Sequence, residues 1–78
     1  MFRIPEYYQM PEMTFEQAQS VFAGDMLKGM EHVSEHWDRY ARGECDELYQ
    51  SDDDFYETWV YEVNAYNTVY RTMKPLFS

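Results

Sequence analysis

The chain is short of bases and of cysteine, has few glycines and prolines, and contains no long apolar run. Six Lys and Arg stand against 15 Asp and Glu, a net charge of −9. That balance repels nucleic acid and anionic membranes and attracts basic protein surfaces. Cys45 has no second cysteine to pair with, which excludes an internal disulfide and fits a reducing compartment. No apolar segment approaches the roughly 18 residues of a membrane span, and the N-terminus lacks the apolar core of a signal peptide. The expectation is a soluble, cytoplasmic protein that touches neither membrane nor nucleic acid directly. At 78 residues the chain has room for one domain, 1–78, with a modest core.

Aromatic bulk is what the sequence has instead. Eight Tyr, five Phe, two Trp and six Met are too many for a chain that cannot collapse. They supply either a small core or an interface.

The clearest local pattern is Ser51 to Met73. Ser51 is a good N-cap, and Asp52, Asp53 and Asp54 suit the positive end of a helix dipole. Phe55, Trp59, Val63, Tyr66, Tyr70 and Met73 follow at helical spacing, and Pro75 is expected to stop the helix. A first helix is expected over 14–42, opened by the capping box Thr14–Gln17 and closed by Gly43. Its stripe runs Phe15, Ala18, Phe22, Met26, Met30, Val33, Trp37 and Tyr40 without a slip in phase. A continuous helix there would be ~43 Å long. Gly24 and Gly29 argue for a kink near Gly24–Asp25, with a full break as the alternative.

The segment 43–50 is short enough to turn two helices into an antiparallel hairpin, with Cys45, Leu48 and Tyr49 in a turn of their own. Residues 1–13 hold Pro5 and Pro11, which disfavour helix and predict an extended arm. Phe2, Ile4, Tyr7, Tyr8 and Met10 make that arm apolar, so it is expected to lie across the helices and complete the core. Residues 74–78 form a tail that folds back or frays. The expected fold is all-α: a helical hairpin with an extended N-terminal arm.

Motifs for chemistry are sparse. His32-Val33-Ser34-Glu35-His36 fits H-x-x-E-H, in which two histidines on one helix face hold zinc beside a Glu that activates water. On a helical wheel Glu35 points away from the face of His36, and 78 residues scarcely provide a substrate cleft. A zinc-dependent hydrolase through His32, Glu35 and His36 is thus a remote alternative, and a plain zinc site adding Cys45 or Glu62 a less remote one. Cys45 lies among Glu44, Asp46 and Glu47, whose field suppresses a thiolate. Glu62 intrudes on the apolar arc of the second helix, so it must pair, with His36, Arg39 or Arg3 as the expected partners. Catalytic residues, metal ligands and cofactors are assigned to none of these positions.

The strongest clue is charge. Glu44, Asp46, Glu47, Asp52, Asp53, Asp54 and Glu57 place seven carboxylates in fourteen residues with no base among them. Capping needs one or two. A weaker line, Glu31, Glu35 and Asp38, is partly offset by i, i+4 pairing of Glu35 with Arg39 and Asp38 with Arg42. Acids one helical turn apart recur every ~5–6 Å, against one phosphate per ~3.4 Å of a DNA strand, so the surface can copy only a short run of phosphates. Tyr49, Tyr56 and Tyr61, beside these acids or on the polar face, are the candidate anchors.

In size, acidity and aromatic content, and in its Glu44–Glu57 segment, the chain resembles the small inhibitors that phages encode against nucleic-acid-handling machinery, of the anti-CRISPR and anti-restriction type. The resemblance implies a non-enzymatic acidic protein that blocks the basic nucleic-acid-binding surface of a partner as a partial DNA mimic, in the host cytoplasm. The alternative is a small homodimeric helical subunit whose exposed stripe is its interface.

Overall fold

The computed structural model describes residues 2–6 and 8–77, without the side chains of 75–77. Tyr7 of the expected arm and Ser78 of the expected tail lie outside the described residues. Among the described residues all regular structure is helical: α1 (Phe15–Val21), α2 (Met26–Ala41), a 3-10 turn (Glu44–Glu47), α3 (Asp52–Phe55), a π turn (Tyr56–Val60) and α4 (Tyr61–Phe77). The last three run on without interruption and are treated together as the C-terminal helix, residues 52–77.

Local chemistry explains most of the boundaries. Gln17 N–H donates to Thr14 Oγ1 at 3.1 Å, and Thr14 N–H donates to Gln17 Oε1 at 2.9 Å, so the capping box is complete. Ser51 Oγ accepts from Asp54 N–H at 3.2 Å and starts the C-terminal helix. Gly43, at φ +77°, turns the chain out of α2 into the 3-10 turn.

The continuous 14–42 helix is not what forms. α1 ends in a Schellman motif, with Gly24 N–H donating to Gln19 O at 2.9 Å and Ala23 N–H to Ser20 O at 3.1 Å. Ala23 (φ +52°) and Gly24 (φ +83°) are both left-handed, and Asp25 Oδ1 then caps α2 through Lys28 N–H at 3.1 Å. The full break near Gly24 therefore replaces the kink. Gly29 has a separate purpose: a Cβ there would press into the Phe22 side chain, 2.7 Å from Phe22 Cβ. The elbow closes because Phe22 lies flat on a helix with no side chain at that point.

The C-terminal helix differs from expectation at both ends of its pattern. It continues through Pro75 to Phe77 and does not stop at Met73. Proline's fixed φ is helical, and so near the end it forfeits one bond, to the Arg71 carbonyl. Upstream, the π turn widens the helix over Tyr56–Val60, which lets the adjacent residues Trp59 and Val60 both be buried.

The core is Ala18, Phe22, Val33, Phe55, Trp59, Val60, Val63, Ala65 and Val69, more than half of it from the C-terminal helix. α1 and α2 both contact α4, α1 the more extensively. Residues 2–6 and 8–13 have no regular structure, and Phe2, Ile4, Tyr8, Met10 and Met13 pack against the core. Phe2 stacks on Phe55 at 5.6 Å, and Tyr8 on Tyr56 at 5.3 Å. Ile4 N–H donates to Tyr40 Oη at 2.8 Å, and the buried Asn64 amide donates to Pro11 O at 2.8 Å. The C-terminal helix is thus covered on several sides, which is why Asn64 and Thr68 can be buried: each finds a backbone carbonyl, Pro11 O and Asn64 O.

Candidate functional site: an acidic surface at the turn between α2 and the C-terminal helix

The turn that follows α2 carries Glu44, Asp46 and Glu47, and the first turns of the C-terminal helix carry Asp52, Asp53, Asp54 and Glu57. All seven are exposed except Asp54, which is half-buried. Three of them have partners within the fold. Glu44 pairs with Arg42, whose guanidinium lowers the Glu44 pKa while its own rises. Asp46 Oδ1 accepts from Phe2 N–H at 2.8 Å. Asp54 Oδ2 accepts from Gln50 N–H at 3.1 Å and so closes the turn onto the helix.

Glu47, Asp52, Asp53 and Glu57 make no side-chain hydrogen bond or ion pair among the described residues. Asp52 and Asp53 sit at the helix N-terminus, where the dipole favours their charged form. The surface therefore divides into three acids used by the fold and four that face solvent.

The tyrosines divide in the same way. Tyr49 is committed to the interior, edge-on to Phe55 at 5.3 Å, with its hydroxyl 3.0 Å from His36 Nε2. Burial is the main reason its phenol pKa is raised. Tyr56 is half-buried against Tyr8 and Phe55. Tyr61 is 49% exposed. Tyr56, Glu57 and Tyr61, with Tyr8 and Glu12, line an open hollow of about 300 Å³. Aromatic faces beside two carboxylates suit a Lys or Arg side chain, through cation–π contact and ion pairing.

The H-x-x-E-H residues are arranged for packing. His32 and His36 stack with ring centroids 6.1 Å apart, and His36 lies 4.3 Å from the Trp59 ring. His36 has its pKa lowered, by burial first and then by His32 and Arg39. Glu62 meets His32, at 3.3 Å, and not the expected His36, Arg39 or Arg3. The reason is register: His32 lies one turn before His36 on α2, and His36 is taken up by Tyr49 and Trp59. Among the described residues no three His, Cys, Asp or Glu side chains converge where they could hold a metal ion. Cys45 is buried, and burial raises its thiol pKa. Arg42 makes its ion pair with Glu44, and Asp38 one turn back adds a weaker favourable charge interaction.

Sequence reasoning did not find the hollow. Glu12 and Tyr8 come from the N-terminal segment, and no periodicity links them to Glu57. No helix among the described residues is long and apolar enough to cross a membrane. Compared with protein-family models, with characterised proteins and with solved structures, the chain has no significant match.

Proposed function

We propose that this chain is a non-enzymatic binding protein that occupies the basic nucleic-acid-binding surface of a partner protein and blocks it, in the host cytoplasm. Its architecture in this reading is an antiparallel helical hairpin, with α2 and the C-terminal helix as its arms and the N-terminal segment as a strap across them. The observation that carries the reading is the set of four carboxylates, Glu47, Asp52, Asp53 and Glu57, that have no side-chain partner among the described residues, around one turn of a chain of net charge −9. A fold needs its capping acids, and Ser51 and Asp54 already supply that bonding. Beyond the dipole interaction of Asp52 and Asp53 at the helix N-terminus, the remaining charge adds self-repulsion and makes no side-chain bond among the described residues.

The mechanism is steric and electrostatic. Glu47, Asp52, Asp53 and Glu57 pair with Arg and Lys that otherwise hold phosphates, and Tyr56 and Tyr61 supply desolvated contact beside them. Charge sets the on-rate and the choice of partner, and the aromatic contact most of the affinity. Replacing Asp52 and Asp53 by Asn tests this: partner binding at low salt should weaken at least about tenfold, with an unchanged fold. Unchanged affinity would remove the acidic surface from the mechanism.

A further inference from the structure

A second surface lies at the far end of α2. Between the α1–α2 elbow and the end of α4 is an open groove of about 1110 Å³. Its apolar lining is Met26, Leu27, Met30 and Met73, and Leu27 is 75% exposed. Asp25, Glu31 and Glu35 stand along it with no base among the described lining residues. The groove follows α2 as far as Glu35, so the last six residues of that helix, about 9 Å at 1.5 Å per residue, and the 3-10 turn stand between it and the acids of the C-terminal helix along the chain.

The chemistry of the lining narrows the occupant. The volume exceeds the roughly 300–1,000 Å³ of small-molecule sites, and the groove is open, so it would leave a small ligand largely in water. Three methionines among four apolar residues give an unbranched, polarisable floor that adapts to the shape of a docked side chain. Such a floor, flanked by carboxylates, fits a helix with apolar anchors at i, i+3 or i+4 and i+7 and with Lys or Arg on either side. From Met26 to Glu35 the groove follows about 14 Å of α2, enough for two to three turns of that helix. A second copy is the poorer occupant, because two bodies of −9 repel and this chain's own helix faces bring more acids to the same rim.

We infer that the groove between α2 and the end of α4 is a docking site for a basic amphipathic helix of a partner protein, separate from the acidic turn. Glu31 and Glu35, one turn apart on α2, orient the helix through its basic flanks, and Leu27 with Met30 receives its apolar anchors.

The probe is a fluorescently labelled synthetic amphipathic helix of Leu and Lys, titrated against the full chain by anisotropy, with the same peptide bearing Glu for Lys as control. Leu27→Ser, on an exposed side chain, should weaken binding of the Lys peptide about tenfold, and Glu31→Gln with Glu35→Gln by a similar factor. The Glu peptide should not bind, and Asp52→Asn with Asp53→Asn should change the affinity less than about twofold. Equal loss from the Asp52 and Asp53 variants would mean diffuse attraction to a negative protein and would overturn the docking site. So would binding indifferent to Leu27→Ser, or a doubled mass in sedimentation that Leu27→Ser returns to the monomer. Each of these results leaves the reading of the acidic turn to stand or fall on its own variants.

Discussion

The hydroxyl of Tyr49 lies 3.0 Å from Nε2 of His36, and the His36 ring in turn lies 4.3 Å from Trp59. The contact joins the turn after α2 to α2 itself and to the core of the C-terminal helix. Burial opposes a charge on the His36 ring, with His32 and Arg39 adding to the effect, and so favours its neutral form.

Stability should therefore fall on the acid side of neutrality. His36 has a folded pKa below its unfolded value of 6.5, so the unfolded chain binds the proton more readily. The contribution is complete above 6.5 and is lost as pH falls below it, towards the lower folded value. Urea midpoints measured from about pH 7.5 down to about pH 5.5 should decline, and His36→Gln should flatten the decline. An unchanged slope in the variant would assign the effect to another group. Tyr49→Phe should cost about 0.5–1.5 kcal/mol at neutral pH.

The elbow between α1 and α2 makes two predictions of opposite sign. Gly29→Ala should stabilise by about 1 kcal/mol if helix propensity alone decided it. Its Cβ would instead meet the Phe22 side chain, so the expected result is a loss of about 1–3 kcal/mol. Ala23 holds φ +52° at the position where Schellman motifs favour glycine. Ala23→Gly should raise stability by about 1 kcal/mol, read from the thermal or urea midpoint.

How much of this was legible in the sequence depends on whether the cause was local. The caps at Thr14 and Ser51 and the turn at Gly43 were all legible, because each is decided by residues within a few positions; of the turn expected for Cys45, Leu48 and Tyr49, only Cys45 lies in the 3-10 turn Glu44–Glu47. The unbroken phase from Phe15 to Tyr40 was misleading. It came from residues that face one core from two separate helices, and the break was signalled only by Gly24 followed by a capping Asp25. The π turn left no sequence mark, and with it went the burial of Val60 beside Trp59. Of the candidate site, the acids were plain but their division was not: Asp46 is bonded by Phe2 N–H and Asp54 by Gln50 N–H, partners that charge counting cannot see. Tyr49 gave the same difficulty, since in sequence it lies between two groups of acids, ending at Glu47 and beginning at Asp52, while its neighbours in space are His36, Phe55 and Phe2.

The N-terminal segment should contribute to the fold through one buried amide. Asn64 is 6% exposed and donates to Pro11 O at 2.8 Å. Asn64→Ala should cost about 1–3 kcal/mol, because the Pro11 carbonyl loses its donor and the site is left underfilled. Hydrogen exchange should show faster amide exchange over residues 8–13 in the variant, with α2 little changed. Equal loosening of both would mean that Asn64 acts through the core and not through the segment.

The acids should separate into two kinds by experiment. Asp54→Asn weakens the bond that closes the turn at Gln50 and should lower stability by about 0.5–1.5 kcal/mol. Asp52→Asn and Asp53→Asn should stay within about 0.5 kcal/mol of the parent. Only the latter pair can then report on binding without a change in fold.

The central claim is that the acidic turn takes the place of nucleic acid on a partner. Its most direct measurement is capture from a nuclease-treated bacterial lysate on the immobilised chain and on its Asp52→Asn, Asp53→Asn variant, followed by elution with salt or with added DNA or RNA. The account predicts a basic nucleic-acid-binding protein that is retained by the parent chain, is released by salt and by its own nucleic acid, and is lost on the variant. Retention that nucleic acid does not displace, or that the variant keeps in full, would contradict it.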